Sequence, residues 1–147
     1  MTPSRLIDGL RDFLRMETLD PDADGVSAIV FDDGLEVELL ALSDKLLLLR
    51  ANIADIPDEE DAREEFYKRQ LQYNLLALRD QSASLSLDSN AGRIRLHRVI
   101  SCDRIETREF YNVVEDFVNT LEWWRNLERQ DAGRAAPSYM PHNMLRP

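Results

Sequence analysis

Four consecutive leucines, Leu46 to Leu49, stand inside the stretch KLLLLRANI and constrain the fold more than any other feature of the chain. In a helix such a run would spread around the cylinder. The turn signal Ser43-Asp44 just before it and its short span favour a strand instead. Successive strand residues point to opposite faces, so the leucines must divide between two surfaces. Leu47 and Leu49 continue into Ala51 and Ile53, an apolar row suited to a core. Leu46 and Leu48 continue into Arg50 and Asn52, and on the preceding strand Leu40 and Leu42 share the face of Glu36 and Glu38. A second leucine patch is therefore expected on a face that also carries charge, to be covered either by a helix of the same chain or by a partner.

The rest of the pattern builds around that strand. Thr2 suits an N-cap with Pro3 at the first helical position, and Leu6, Ile7, Leu10, Phe13 and Leu14 recur at helical spacing, predicting a helix that ends near Met16. VSAIVF and LEVELLAL flank DDG, a hairpin signal in which Gly34 supplies the positive φ. After Pro57, a run of acids opens a long helix that closes near Arg79. This helix carries two apolar stripes: Tyr67, Leu71, Leu75 and Leu78 on one, Phe66, Tyr73 and Ala77 with Leu76 at its edge on the other. The first is expected to face the core and the second a partner. SASLSLD and RIRLHRVI alternate around SNAG as a second hairpin, with Ala83, Leu85, Leu87, Ile94 and Leu96 inward. Asp103 and Glu106 offer a capping box for a last helix whose stripe runs from Phe110 through Val113, Val114, Phe117, Val118 and Leu121 to Trp124 and ends near Gln130. The order is α-β-β-β-α-β-β-α, an α+β domain with an antiparallel sheet over residues 1–130 and an irregular C-terminal tail over 131–147.

Composition narrows the function classes. At 147 residues the chain suits a single core, and a net charge of -10 argues against a nucleic-acid partner, whose phosphates attract Lys and Arg. No segment approaches the about 18 uninterrupted apolar residues of a membrane span, no leader is expected at the N-terminus, and the single Cys102 cannot form an internal disulfide, all consistent with a cytoplasmic protein. His97, Cys102 and Asp103 lie close in sequence, but His97 falls on the outward face with Arg93 and Arg95, so a thiol–imidazole pair is not expected. His142 is the only other histidine and has no ligand-spaced companion. The acids Asp58, Glu59, Glu60, Asp61, Glu64 and Glu65 lack the loop of a calcium site and read as a solvated helix start. No glycine-rich phosphate loop is present, and no cofactor is expected. The competing reading is a small α+β enzyme or ligand-binding domain with a cavity between sheet and last helix, lined by Trp123 or Trp124.

Several stretches together carry a family resemblance: LRDFLRM in the first helix, FDDGLEVEL across the first hairpin, LLLRANI before an acidic helix start, LQYNLLAL with its mid-helix asparagine, SLSLDSNAGRIRL across the second hairpin, and FVNTLEWWRNL near the end. Over roughly residues 4 to 128 the chain resembles the class I chaperones of bacterial type III secretion, the Tir chaperone family. The resemblance implies a cytoplasmic homodimer that binds an extended N-terminal segment of a secreted effector and keeps it export-competent without ATP. It implies effector contacts at Leu40, Leu42, Leu46, Leu48 and Leu10. It also implies a dimer interface at Phe66, Tyr73, Leu76 and Ala77, with no membrane insertion.

Overall fold

The computed structural model describes residues 1–77 and 82–138. Its elements run α1 (Pro3–Phe13), β1 (Val26–Phe31), a 3-10 turn (Asp32–Gly34), β2 (Leu35–Ala41), β3 (Leu46–Asp55), α2 (Glu60–Ala77), β4 (Ser84–Asp88), β5 (Arg93–Ser101) and α3 (Thr107–Ser138). The expected order of three helices and five strands is the observed one. The strands form one antiparallel sheet in the order β1-β2-β3-β5-β4, leaving β1 and β4 as its edges.

The local chemistry explains most boundaries. Thr2 accepts a hydrogen bond from the Arg5 amide at 3.3 Å with Pro3 behind it. α1 stops at Phe13, short of Met16, because Arg15 takes a left-handed φ of 56°. The Met16 amide then reaches the Arg11 carbonyl and the Arg15 amide that of Asp12, the paired bonds of a Schellman ending. Gly34, with φ 74°, closes the first hairpin through the 3-10 turn. At the start of α2 the Glu59 carboxylate accepts from the amides of Asp61 and Ala62.

α3 departs from expectation at both ends. It begins at Thr107, so the Asp103–Glu106 pair precedes the first turn and does not box it. It also continues to Ser138, eight residues beyond the expected end, so residues 131–138 are helical and only 139–147 of the tail lie outside the described residues. A lone Gly133 costs a helix only about 1 kcal/mol relative to Ala, and Ala135 and Ala136 favour its continuation. At 1.5 Å per residue α3 is about 48 Å long.

α1 and α3 cover one face of the sheet. There Val37, Leu39, Leu47, Leu49, Ala51 and Leu96 meet Leu6, Leu10, Phe110, Val114, Phe117, Leu121 and Trp124 in a single buried cluster. α1 crosses the start of α3 at Gly9, where a Cβ would come within 2.6 Å of Thr107 Oγ1. Only hydrogen at that position lets the two helices approach this closely.

Candidate binding faces

Among the described residues no helix covers the opposite face of the sheet, whose chemistry changes along the strands. Register places Val26, Leu40, Leu48 and Val99 side by side across β1, β2, β3 and β5. Beyond them, the Leu42 amide donates to the Leu46 carbonyl at 2.8 Å, and Leu46 lies opposite Ser101. Leu42 and Leu46 are 49% and 38% exposed, Val99 is exposed, and Leu40 and Leu48 are half-buried. The division of the four leucines is the expected one, since Leu47 and Leu49 on the other face have no exposed surface. Farther along, the face turns polar: Arg50 Nε donates to Glu38 Oε1 at 2.7 Å, Arg95 pairs with Asp88 at 3.2 Å, and His97 sits opposite Arg50. An apolar end and a neutral, ion-paired end thus share one open surface.

Leu10 does not belong to this surface. It is fully buried, because the Leu6–Leu10 spacing turns that side of α1 onto the core. Phe13 points out instead and stacks on Tyr111 with ring centroids 4.5 Å apart. Val26 and Val99 complete the leucine rows and were missed, although the alternation of RIRLHRVI places Val99 on the face of Arg95 and His97.

A second apolar surface lies between α2 and β4. Leu71 and Leu75 are 70% and 69% exposed, and Tyr67, Leu71 and Asn74 face Leu85, Leu87 and Ile94 across a groove of about 400 Å³. This overturns the expected assignment of the α2 stripes. Phe66 and Ala77 are buried in the core and Tyr73 is half-buried, so they cannot be an open dimer surface; the Leu76 and Leu78 side chains lie outside the described residues. The reason is polar. Phe66, Gln70, Tyr73 and Ala77 share one side of α2, and that side carries hydrogen-bonding groups matched to α3. Gln70 Nε2 donates to Glu128, the Tyr73 hydroxyl donates to Asp131 Oδ2 at 2.6 Å, and Arg69 Nε lies 2.9 Å from the same oxygen. The Tyr73 ring meets Trp124 edge-on. Burial pushes the Glu128 carboxyl above its ordinary range, against the Gln70 hydrogen bond and Arg69, with Asp131 adding to the rise. Leu87 faces the helix layer as expected but stays exposed, because β4 is an edge strand that α2 leaves uncovered.

The groups weighed for catalysis are apart. His97 is on the open face, whereas Cys102 is fully buried among core residues and burial pushes its thiol pKa up. Trp124 is likewise core, with Trp123 edge-on at 5.1 Å. Among the described residues no helix is long and apolar enough to cross a membrane, and no three His, Cys, Asp or Glu side chains are grouped to hold a metal ion.

The sequence profile of the Tir chaperone protein (CesT) family matches residues 5–125. No curated protein matches the chain. Among solved structures, a chain of the HopA1–SchA chaperone–effector complex superposes with a TM-score of 0.66 at 18% identity, covering 84% of this chain and 92% of that one. A chain of the ExsC–ExsE complex gives 0.59 at 20% identity, over 84% and 90%. The Yersinia pestis type III secretion chaperone SycH, in complex with a stable fragment of YscM2, gives 0.60 at 18% identity, over 84% and 99%.

Proposed function

Because the chain belongs to the Tir chaperone protein (CesT) family, we propose that it is a cytoplasmic chaperone of bacterial type III secretion that holds an extended segment near the N-terminus of a secreted effector. Of the similar structures, one is a chaperone–effector complex and another a type III secretion chaperone bound to a stable fragment of YscM2. The observation that carries the reading is the leucine end of the open sheet face, left uncovered by the helices among the described residues. An extended segment laid there buries apolar side chains, each gaining roughly 1.5–3 kcal/mol on leaving water. Its backbone can pair with the free edge of β1, as in strand addition. No bond is made or broken and no ATP is used. The acidic surface keeps the complex soluble.

The α2–β4 groove serves a different partner in this reading, a second copy of the chain. Leu71, Leu75, Tyr67 and Leu87 replace the interface residues expected from sequence, and a self-complementary patch of this kind suits a two-fold axis.

The test is a photo-crosslinking residue at Leu42 or Leu46 in the native cell, read by mass spectrometry. Cross-links to a segment near the N-terminus of a secreted protein are expected. Cross-links only to a second copy of the chain would reassign the face to the dimer. Leu46→Asp should leave the fold intact while weakening capture by about tenfold or more, since the charge meets water in the free protein and is buried only in the complex.

A further inference from the structure

At the start of the edge strand β1, next to Val26, Gly25 lies beside Leu40, whose Cδ1 would be 3.8 Å from a Cβ at that position, and the same glycine lines a pocket of about 180 Å³ on the other, helix side of β1. Ile7 of α1 and Leu19 form apolar walls, and Asp8 and Asp20 are the carboxylates of the site. Ser27, on the edge strand, contributes a side chain that is 1% exposed and whose Oγ has no hydrogen-bond partner among the described residues. Among the described residues Asp8 has only Arg11 as a counter-ion, at 3.5 Å, and Arg11 is shared with Asp12 at 3.2 Å. Asp20 has no ion pair among the described residues.

Apolar walls, two carboxylates and a buried unpaired hydroxyl match one kind of side chain: a long aliphatic stem ending in a cation. We propose that this pocket takes a lysine or arginine side chain of the client segment, placed just beyond the apolar residues that cover Leu40 and Leu48. The proposal rests on the client reading of the leucine face. The stem packs on Ile7 and Leu19, the ammonium or guanidinium donates to Ser27 Oγ and meets Asp8 and Asp20, and a hydroxyl left without a partner gains one. The pocket would thus specify which stretch of an otherwise apolar segment is held.

Fluorescence anisotropy tests this with a short labelled synthetic peptide in which leucine alternates with serine and lysine stands near both ends, against the same peptide with norleucine for lysine. The lysine peptide should bind about tenfold tighter, a difference set by the charged contact alone. Asp20→Asn and Ser27→Ala should each reduce that preference to threefold or less, with folding checked by thermal melts. Asp61→Asn, which changes the net charge equally at the distant start of α2, should preserve it. Equal binding of the two peptides, or equal loss in Asp20→Asn and Asp61→Asn, overturns the pocket while leaving the leucine face standing. Binding by neither peptide overturns both.

Discussion

The open sheet face and the α2–β4 groove are both apolar, both exposed, and were not equally readable. On the sheet, a period of two fixes every side chain once one residue is placed, so burying Leu47 forces Leu46 and Leu48 to the other side. On α2 two stripes lie roughly a third of a turn apart, and either could face the core by hydrophobicity alone. What separates them is Gln70 and Tyr73, whose partners Glu128 and Asp131 lie 58 residues away in sequence. A strand face is decided locally; a helix face with two apolar stripes is decided by the element it meets.

The sharpest test of that contrast is a set of alanine variants along the leucine run. Leu47→Ala and Leu49→Ala each open a cavity in a packed interior and should cost on the order of 2–5 kcal/mol. Leu46→Ala and Leu48→Ala, at the partly exposed positions, should cost less than about 1 kcal/mol in the free protein. Denaturant unfolding of the four single variants checks it. Equal, large losses at all four would mean that both faces of β3 are internal and that the open face is misplaced.

The groove is tested next. Leu71→Glu puts a charge on a residue that is 70% exposed in the single chain, so folding should survive. Burying that charge between two copies should raise the dimer dissociation constant about 100-fold, roughly 2.7 kcal/mol. Sedimentation across a concentration series would show the 17.0 kDa species growing at the expense of the dimer. An unchanged dimer would move the self-contact to another surface. Phe66→Glu, by contrast, should unfold the chain, because Phe66 is buried in the single copy.

Much of the architecture was legible because its signals are local: Thr2-Pro3 at a helix start, DDG between alternating runs, leucines dividing by parity. Besides the α2 stripes, other features escaped for physical reasons. Leu10 belongs to the core because the whole Leu6–Leu10 side of α1 turns inward, and no residue-level signal in α1 says which neighbour covers it. α3 outran its expected end since one glycine is a weak stop when alanines follow. The pocket beside β1 was invisible because Ile7, Leu19 and Ser27 come from three separate segments that only the fold brings together.

The smallest expected effect concerns the polar contacts that orient α2. Burial raises the Glu128 carboxyl pKa, so its charged form is less favourable in the folded protein than in the unfolded chain. The stability contributed by a group of this kind is fully present below its unfolded pKa and is lost as pH rises through the raised folded value. Glu128→Gln removes the titration while keeping an oxygen that can accept from Gln70, and the Arg69 guanidinium, 3.8 Å from Glu128, retains its shorter contact with Asp131. The variant should therefore melt at or slightly above the wild-type temperature at pH 7, by a few degrees at most, and the gap should close as the pH falls toward the ordinary carboxylate range. A variant less stable at pH 7, with a deficit that disappears in acid as the wild-type carboxyl is itself neutralised, would show that the Glu128 charge is what holds α2 to α3. In that case the α2 face is selected by ion pairing with Arg69, and the neutral hydrogen bonds of Gln70 and Tyr73 are secondary.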